Sequence, residues 1–254
     1  MRKFCVFLSC MTFTLALIPM FVSCTHEYKE DEIILDAVTD VDGNSYDAVK
    51  LGDQVWMQTN LRTIHFRDGS DIPQGEGFEY NNTLPFYYRP TTNEVPAYNW
   101  KNYGLYYNWL SVADSRGLCP DGWHVPSDVE WTKMEEYVKS KSGYVYGFNS
   151  QNIAKALASE VGWERNEVLG APGCFLDGNN ATGFSAVPAG FYDAGYGHGY
   201  FDDAGRCAIF WTSTDIDRLG NTYAYHRYID YETPNVGRVE GDKENGLSVR
   251  CVRD

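Results

Sequence analysis

The sequence predicts one α+β domain, with strands near both ends of the chain, two helices between them and long loops. Short runs with β-type alternation lie near the beginning and near the end of the chain, and a capped helical segment lies in the middle. A chain of 254 residues with 43% hydrophobic and 15% aromatic content is long enough for one sizeable core.

The first predicted strands are the runs SYDAV (45–49) and QVWMQ (54–58). Turn residues bound both runs, with Asp-Gly-Asn before the first and Leu-Gly-Asp between the two, as in a hairpin. Residues 68–102 are rich in Gly, Pro, Asn and Tyr and show no sustained period. We therefore expect a long ordered loop on the surface there.

The clearest helix signal begins at Ser127. Ser127 and Glu130 fit a capping box, in which hydroxyl and carboxylate each accept from a free backbone N–H group. A partial apolar stripe then continues to about Lys139, formed by Val129, Trp131, Met134, Tyr137 and Val138. A shorter helix is predicted over residues 151–159. Short strands are predicted beyond it, in AIFWTST (208–214), TYAYHRYI (222–229) and GLSVRCVRD (246–254).

The N-terminus has the pattern of a secretory signal, because basic Arg2 and Lys3 precede an apolar run from Phe4 to Phe21. Ser23 before Cys24 resembles a bacterial lipobox, which predicts that Cys24 carries lipid and tethers a soluble body to the membrane. The alternative is ordinary signal cleavage nearby, with Cys24 as a spare thiol.

These boundaries give a signal peptide over residues 1–23, a lipidated tether over 24–37 and one domain over 38–254. The acidic residues after Cys24 resemble the surface-export signal of some Gram-negative lipoproteins, although a solvated tether has the same composition. We therefore expect an outer-membrane lipid anchor at the cell surface, with a periplasm-facing protein as the alternative.

The charge balance is strongly acidic. Removal of Arg2 and Lys3 from the 21 basic residues leaves 19 against 35 acidic residues, a net charge of −16. Because neutralisation of phosphates supplies most nucleic-acid affinity, nucleic acid is excluded as the expected partner. Membrane contact is expected through the lipid anchor only.

Four cysteines remain after Cys5 and Cys10 leave with the signal and Cys24 takes lipid. They are Cys119, Cys174, Cys207 and Cys251. An even number in an exported domain predicts disulfides, and three connectivities are open. No CxxC pair exists, so neither a redox motif nor a zinc knuckle is expected.

The chain resembles the Fibrobacter succinogenes major paralogous domain, a family common in surface and secreted proteins of gut and rumen bacteria. Six blocks carry the resemblance in chain order: DVDGNSYDAVKLGDQVWMQTNL (40–61), YGLYYNWLSVAD (103–114), CPDGWHVPSDVEW (119–131), GFSAVPAG (183–190), FWTST (210–214) and GLSVRCV (246–252).

The resemblance implies a fold similar to C-type lectins and formylglycine-generating enzymes. In that architecture the terminal strands pair, helices pack on the sheet and long loops form the functional face. It also implies that the cysteine of CPDGWHVP pairs with that of VRCV, as Cys119–Cys251, which leaves Cys174–Cys207 as a second disulfide.

The exported fold and two aromatic loops predict a binding domain for a glycan or a surface protein. Aromatic faces stack on sugars and anchor protein interfaces equally well. The candidate ligand contacts are Tyr192, Tyr196, His198, Tyr200 and Phe201 in one loop, and Tyr87, Tyr88 and Trp100 in the other. The alternative is that each ring packs its loop onto the domain.

No catalytic residue, cofactor or metal ligand is predicted. The GxSxG, HExxH and GxxxxGK[ST] patterns are absent, and Cys207 and Cys251 are too far apart in sequence to match the reactive cysteine pair of formylglycine-generating enzymes. Calcium binding remains an alternative, because four carboxylates could supply oxygen ligands: Asp202, Asp203, Asp215 and Asp217. Their spacing does not match an EF-hand loop. A structural or accessory subunit of an envelope or fimbrial assembly is the alternative function.

Overall fold

The computed structural model describes residues 32–75, 83–91, 100–195, 199–216, 218, 220 and 222–254. Within these ranges the strands are β1 Ile33–Thr39, β2 Ser45–Leu51, β3 Gln54–Met57, β4 Tyr87–Tyr88, β5 Tyr106–Tyr107, β6 Trp123–His124, β7 Phe191–Asp193, β8 Tyr200–Asp202, β9 Cys207–Asp215, β10 Tyr223–Asp230, β11 Gly237–Asp242 and β12 Val252–Arg253. The helices are α1 Trp100–Tyr103, α2 Trp109–Ala113, α3 Asp128–Lys139 and α4 Ala154–Leu157, with a 3₁₀ turn over Leu176–Gly178.

The strands form several small sheets, so the domain is mostly β with few helices. The largest sheet has the order β1-β2-β3-β12-β6, and a second has the order β11-β10-β9. The predicted pairing of the terminal strands is confirmed, since Val252 of β12 lies opposite Trp56 of β3 in an antiparallel pair. Two further pairs, β4–β5 and β7–β8, complete the sheets of the described residues.

The predicted N-terminal hairpin is confirmed as β2 and β3. The turn between them contains Gly52 at φ 64°, a conformation that glycine adopts without steric cost. A Cβ atom at Gly52 would lie 2.9 Å from the ring of Tyr137 in α3. The glycine therefore also allows the turn to approach the helix.

Helix α3 begins as its capping box predicts. The Ser127 hydroxyl accepts from the backbone of Glu130, and the Glu130 carboxylate accepts from the backbone of Ser127 at 2.8 Å. Buried Arg227 of β10 fixes the helix on the second sheet, because its guanidinium donates to Glu135 at 2.6 Å and to Asp128 at 2.5 Å. A carboxylate in the first turn also complements the helix dipole.

His124 joins the helix entrance to the C-terminus. One ring nitrogen lies 2.8 Å from Glu130 Oε1 and the other lies 2.6 Å from Asp254 Oδ1. Burial alone would lower the pKa of His124, but the hydrogen bonds to Asp254 and Glu130 and their charges raise it above its ordinary value. The CPDGWHVPSDVEW block is thus a structural junction.

The second predicted helix is shorter than expected. The sequence predicts helix over residues 151–159, whereas α4 covers only Ala154–Leu157. The chain becomes extended at Ala158, where the next amide, from Ser159, donates to the carbonyl of Ala186 at 2.7 Å. This long-range pairing ends the helix. Within the described ranges, no helix combines the length and apolar character needed to cross a membrane.

The Cys119–Cys251 disulfide is present and ties β12 to the segment before β6. The second predicted disulfide is wrong, because Cys174 and Cys207 are both buried free thiols. Cys207 of β9 points into one buried cluster with Trp211, while Cys174 lies beside Lys155 of α4, whose neighbouring alanines belong to another cluster.

We predict that the double substitution Cys119→Ser, Cys251→Ser lowers the free energy of unfolding by about 5 kcal/mol, the value of the chain-entropy model for so long a loop. The disulfide joins residues 132 positions apart, so its loss returns a large loop-closure entropy to the unfolded chain. Urea unfolding measures the change. Reductant should destabilise the wild type and leave the variant unchanged. A loss below about 1 kcal/mol would contradict the assignment.

Candidate functional site

The two aromatic loops singled out in the sequence pack against each other. Tyr88 of β4 stacks on Tyr192 of β7, with ring centroids 4.0 Å apart and planes inclined by 17°. Phe201 of β8 lies 5.0 Å from the Tyr192 ring and 5.5 Å from that of Tyr106. The rings form a buried cluster that joins the loops to the domain.

Three of the predicted ligand contacts, Tyr87, Tyr88 and Tyr192, are each only 6% exposed, which favours the alternative that these rings pack their loops onto the domain. Tyr88 and Tyr192 belong to the buried cluster, and Phe201 packs against it. Tyr200 is the exception. It is exposed, and the neighbouring charge of Asp193 raises the pKa of its phenol.

Four of the predicted positions lie outside the described residues: Cys24, Tyr196, His198 and the side chain of Trp100. Among the candidate calcium ligands, Asp217 also lies outside them. In the described part of the chain, no group of three or more His, Cys, Asp or Glu side chains is placed to hold a metal ion.

The structure contains a cavity that the sequence analysis did not identify. It has a volume of about 640 Å³ and lies between the segments 165–169 and 173–177. The lining residues of this loop cavity are Arg165, Asn166, Glu167, Leu169, Gly173, Cys174, Phe175, Leu176 and Asp177. Two other cavities measure about 250 and 230 Å³. The loop cavity falls within the size range of small-ligand sites, which is roughly 300–1,000 Å³.

Phe175 is held over the loop cavity in a costly conformation. Its backbone is left-handed, with φ 53° and ψ 75°, and its side chain is 71% exposed. A bulky residue at positive φ is a genuine outlier and costs on the order of 1–3 kcal/mol. Exposure of a phenylalanine is unfavourable as well. Both costs fall on one residue, which marks it as a candidate functional group.

Hydrogen bonds from Lys155 offset the cost of the Phe175 conformation. This buried side chain donates to the carbonyls of Cys174 at 2.5 Å and Phe175 at 2.7 Å, and to Asn179 Oδ1 at 2.8 Å. All three donors of the ammonium group are used. Burial lowers the pKa of Lys155, as expected for a cation removed from water. Lys155 thus holds the two peptide groups that precede and follow the Cα atom of Phe175.

Two asparagines brace the cavity walls. Asn166 donates to the carbonyl of Tyr231 and accepts from the amide of Val168, while Asn179 donates to the carbonyl of Ser159 at 2.8 Å. Gly173 allows this close approach, because a Cβ atom there would lie 2.3 Å from the Asn166 amide nitrogen. The loop cavity is therefore built by side-chain to backbone contacts.

Charged side chains complete the lining. Arg165, Glu167 and Asp177 are exposed. Within the described residues, neither Arg165 nor Glu167 makes a side-chain hydrogen bond or an ion pair. The cavity therefore combines an aromatic ring, aliphatic surface and charged groups of both signs. The clue in the sequence was modest: the Gly-rich and Asn-rich stretch APGCFLDGNN (171–180) predicts only a loop.

The described residues form a mostly β domain with few helices and one disulfide, and the loop cavity is its candidate ligand site. The family model of the Fibrobacter succinogenes major domain matches residues 49–253, and the chain belongs to this family. The resemblance drawn from the six sequence blocks is confirmed. Neither a curated protein nor a solved structure matches the chain.

We predict that Lys155→Met lowers the free energy of unfolding by about 3 kcal/mol, because two carbonyls and an amide oxygen lose a charged donor. Lys133→Met is the matched control. Lys133 is exposed and lies 3.8 Å from Asp53, so its replacement should change stability by less than about 0.5 kcal/mol. Urea unfolding compares the two variants, and equal stabilities would contradict the role of Lys155.

Proposed function

We propose that the protein is a non-catalytic binding domain of a cell-envelope lipoprotein, which recognises a glycan or a surface protein through the loop cavity. The observation that carries the proposal is Phe175, an exposed ring in a left-handed conformation fixed by buried Lys155. Strained residues cluster at ligand sites, where the strain is part of preorganisation.

The architecture supports a domain similar to C-type lectins. The N-terminal strands β1, β2 and β3 share one sheet with the C-terminal strand β12, as in that fold. Helix α3 packs on the strands, and the loop cavity lies on a long connection after α4. The loop cavity thus lies where binding sites of such folds are expected, on a loop that a rigid scaffold positions. Its position differs from that of the two aromatic loops.

The exported location is part of the proposal. Disulfides persist in oxidising compartments, so Cys119–Cys251 supports a protein that leaves the cytosol. The lipidated Cys24 and the surface orientation rest on the N-terminal sequence pattern. An outer-membrane anchor would place the loop cavity where an extracellular or periplasmic ligand reaches it.

We predict that Phe175→Ala weakens ligand binding at least about tenfold, because an exposed, preorganised aromatic ring behaves as a hot spot. The measurement is binding of labelled full-length protein to glycan arrays and to whole cells. Leu35→Ala on strand β1 is the control, since Leu35 is 73% exposed, close to the 71% of Phe175, and lies outside the cavity lining. Equal binding by both variants would rule out the loop cavity as the site.

A further inference from the structure

Exposed apolar residues lie at the loop cavity and next to its lining, and together they are called the apolar rim. The four residues are Tyr146, Val168, Leu169 and Phe175, which are 38%, 44%, 60% and 71% exposed. Leu169 and Phe175 both line the cavity. The Tyr146 ring lies against Gly170, where an added Cβ atom would be only 2.7 Å away. Val168 precedes Leu169 in the chain and Tyr146 lies against the residue that follows Leu169, so exposed apolar groups continue from the cavity lining to these two residues.

The composition of the apolar rim distinguishes between the two ligand classes. Sugars use aromatic faces and directed hydrogen bonds, whereas exposed aliphatic side chains gain free energy only when other apolar groups cover them. Half of the rim is aliphatic, and its two aliphatic residues are adjacent in the chain. Exposed apolar patches with a polar border mark protein interfaces. The apolar rim thus favours a polypeptide over a glycan.

The charges at the same site specify the partner further. Glu167 and Asp177 line the loop cavity against the single cation Arg165. Glu164 precedes Arg165 in the chain, and its side chain is 57% exposed. It forms only a long ion pair with Arg206, at 3.8 Å. The chain as a whole carries a net charge of −14. Electrostatic complementarity therefore favours a basic partner segment.

We propose that the loop cavity receives an apolar side chain from an exported polypeptide segment in which lysine or arginine flanks that side chain. This inference rests on the proposed function and names its ligand class. The apolar anchor contacts Phe175 and Leu169, while Glu167 and Asp177 pair with the flanking cations. Arg165 donates to backbone carbonyls of the segment. A single buried anchor within a polar border is the usual organisation of such interfaces.

The test uses synthetic peptides and the full-length protein. Each peptide has a central leucine or phenylalanine, and the residues that flank it are lysine, serine or glutamate in otherwise identical sequences. Fluorescence anisotropy at low and high salt measures the affinity. We expect the lysine-flanked peptides to bind at least about tenfold more tightly than the glutamate-flanked ones, and salt to remove most of this difference.

Two variants locate the binding. Phe175→Ala should weaken binding of every peptide, and the double substitution Glu167→Gln, Asp177→Asn should remove the preference for lysine. The second variant changes only exposed groups, so it reports on recognition even if the first affects folding.

The outcomes separate this inference from the proposed function. Phe175-dependent binding of a glycan, without peptide binding, overturns the peptide ligand and leaves the loop cavity as a binding site. Peptide binding that ignores the flanking charge overturns the basic partner. If peptides, glycans and cells all bind independently of Phe175 or not at all, both proposals fail.

Discussion

Arg250 has no exposed surface, and each nitrogen of its guanidinium group donates to an acceptor in another part of the chain. The acceptors are Asn60 Oδ1 at 2.9 Å, the carbonyl of Phe184 and the carbonyl of Ser185 at 2.8 Å. Burial lowers the pKa of Arg250 to about 9, so the group stays charged at neutral pH. Because an unpaired buried cation is very costly, the two segments that supply these acceptors, around Asn60 and at Phe184–Ser185, must keep their positions relative to Arg250.

Lys155 is a second buried cation that donates to backbone carbonyls, at the other end of the segment 174–185. Between residues 174 and 185 the backbone is left-handed at Phe175, Asn180 and Ser185. The carbonyls of Phe175 and Ser185 accept hydrogen bonds from Lys155 and Arg250 respectively. Two buried cations therefore hold a strained segment at both ends, and they use main-chain oxygens as acceptors. The loop cavity and the exposed ring of Phe175 are consequences of this anchoring, which ties the candidate site to the core.

Local signals in the sequence predicted much of this fold. The capping box at Ser127 and the turn at Gly52 depend on neighbours in the chain, and both elements form where predicted. The burial of Tyr87, Tyr88 and Tyr192 could not be predicted from the sequence, because exposure depends on distant partners. Tyr88 is covered by Tyr192, a contact that no local pattern reveals. The loop cavity escaped prediction for the same reason, since its key residue, Lys155, acts through three acceptors in a later loop.

The most direct test of the account is observation of the Lys155 ammonium group by NMR. Hydrogen bonds to Cys174 and Phe175 predict a slowly exchanging ammonium resonance with scalar couplings to both carbonyl carbons. Exposed Lys133 provides the reference for an ordinary lysine in the same sample. Rapid exchange at Lys155, equal to that at Lys133, would mean that the buried cation does not hold the loop. The preorganisation of Phe175 would then have no physical basis.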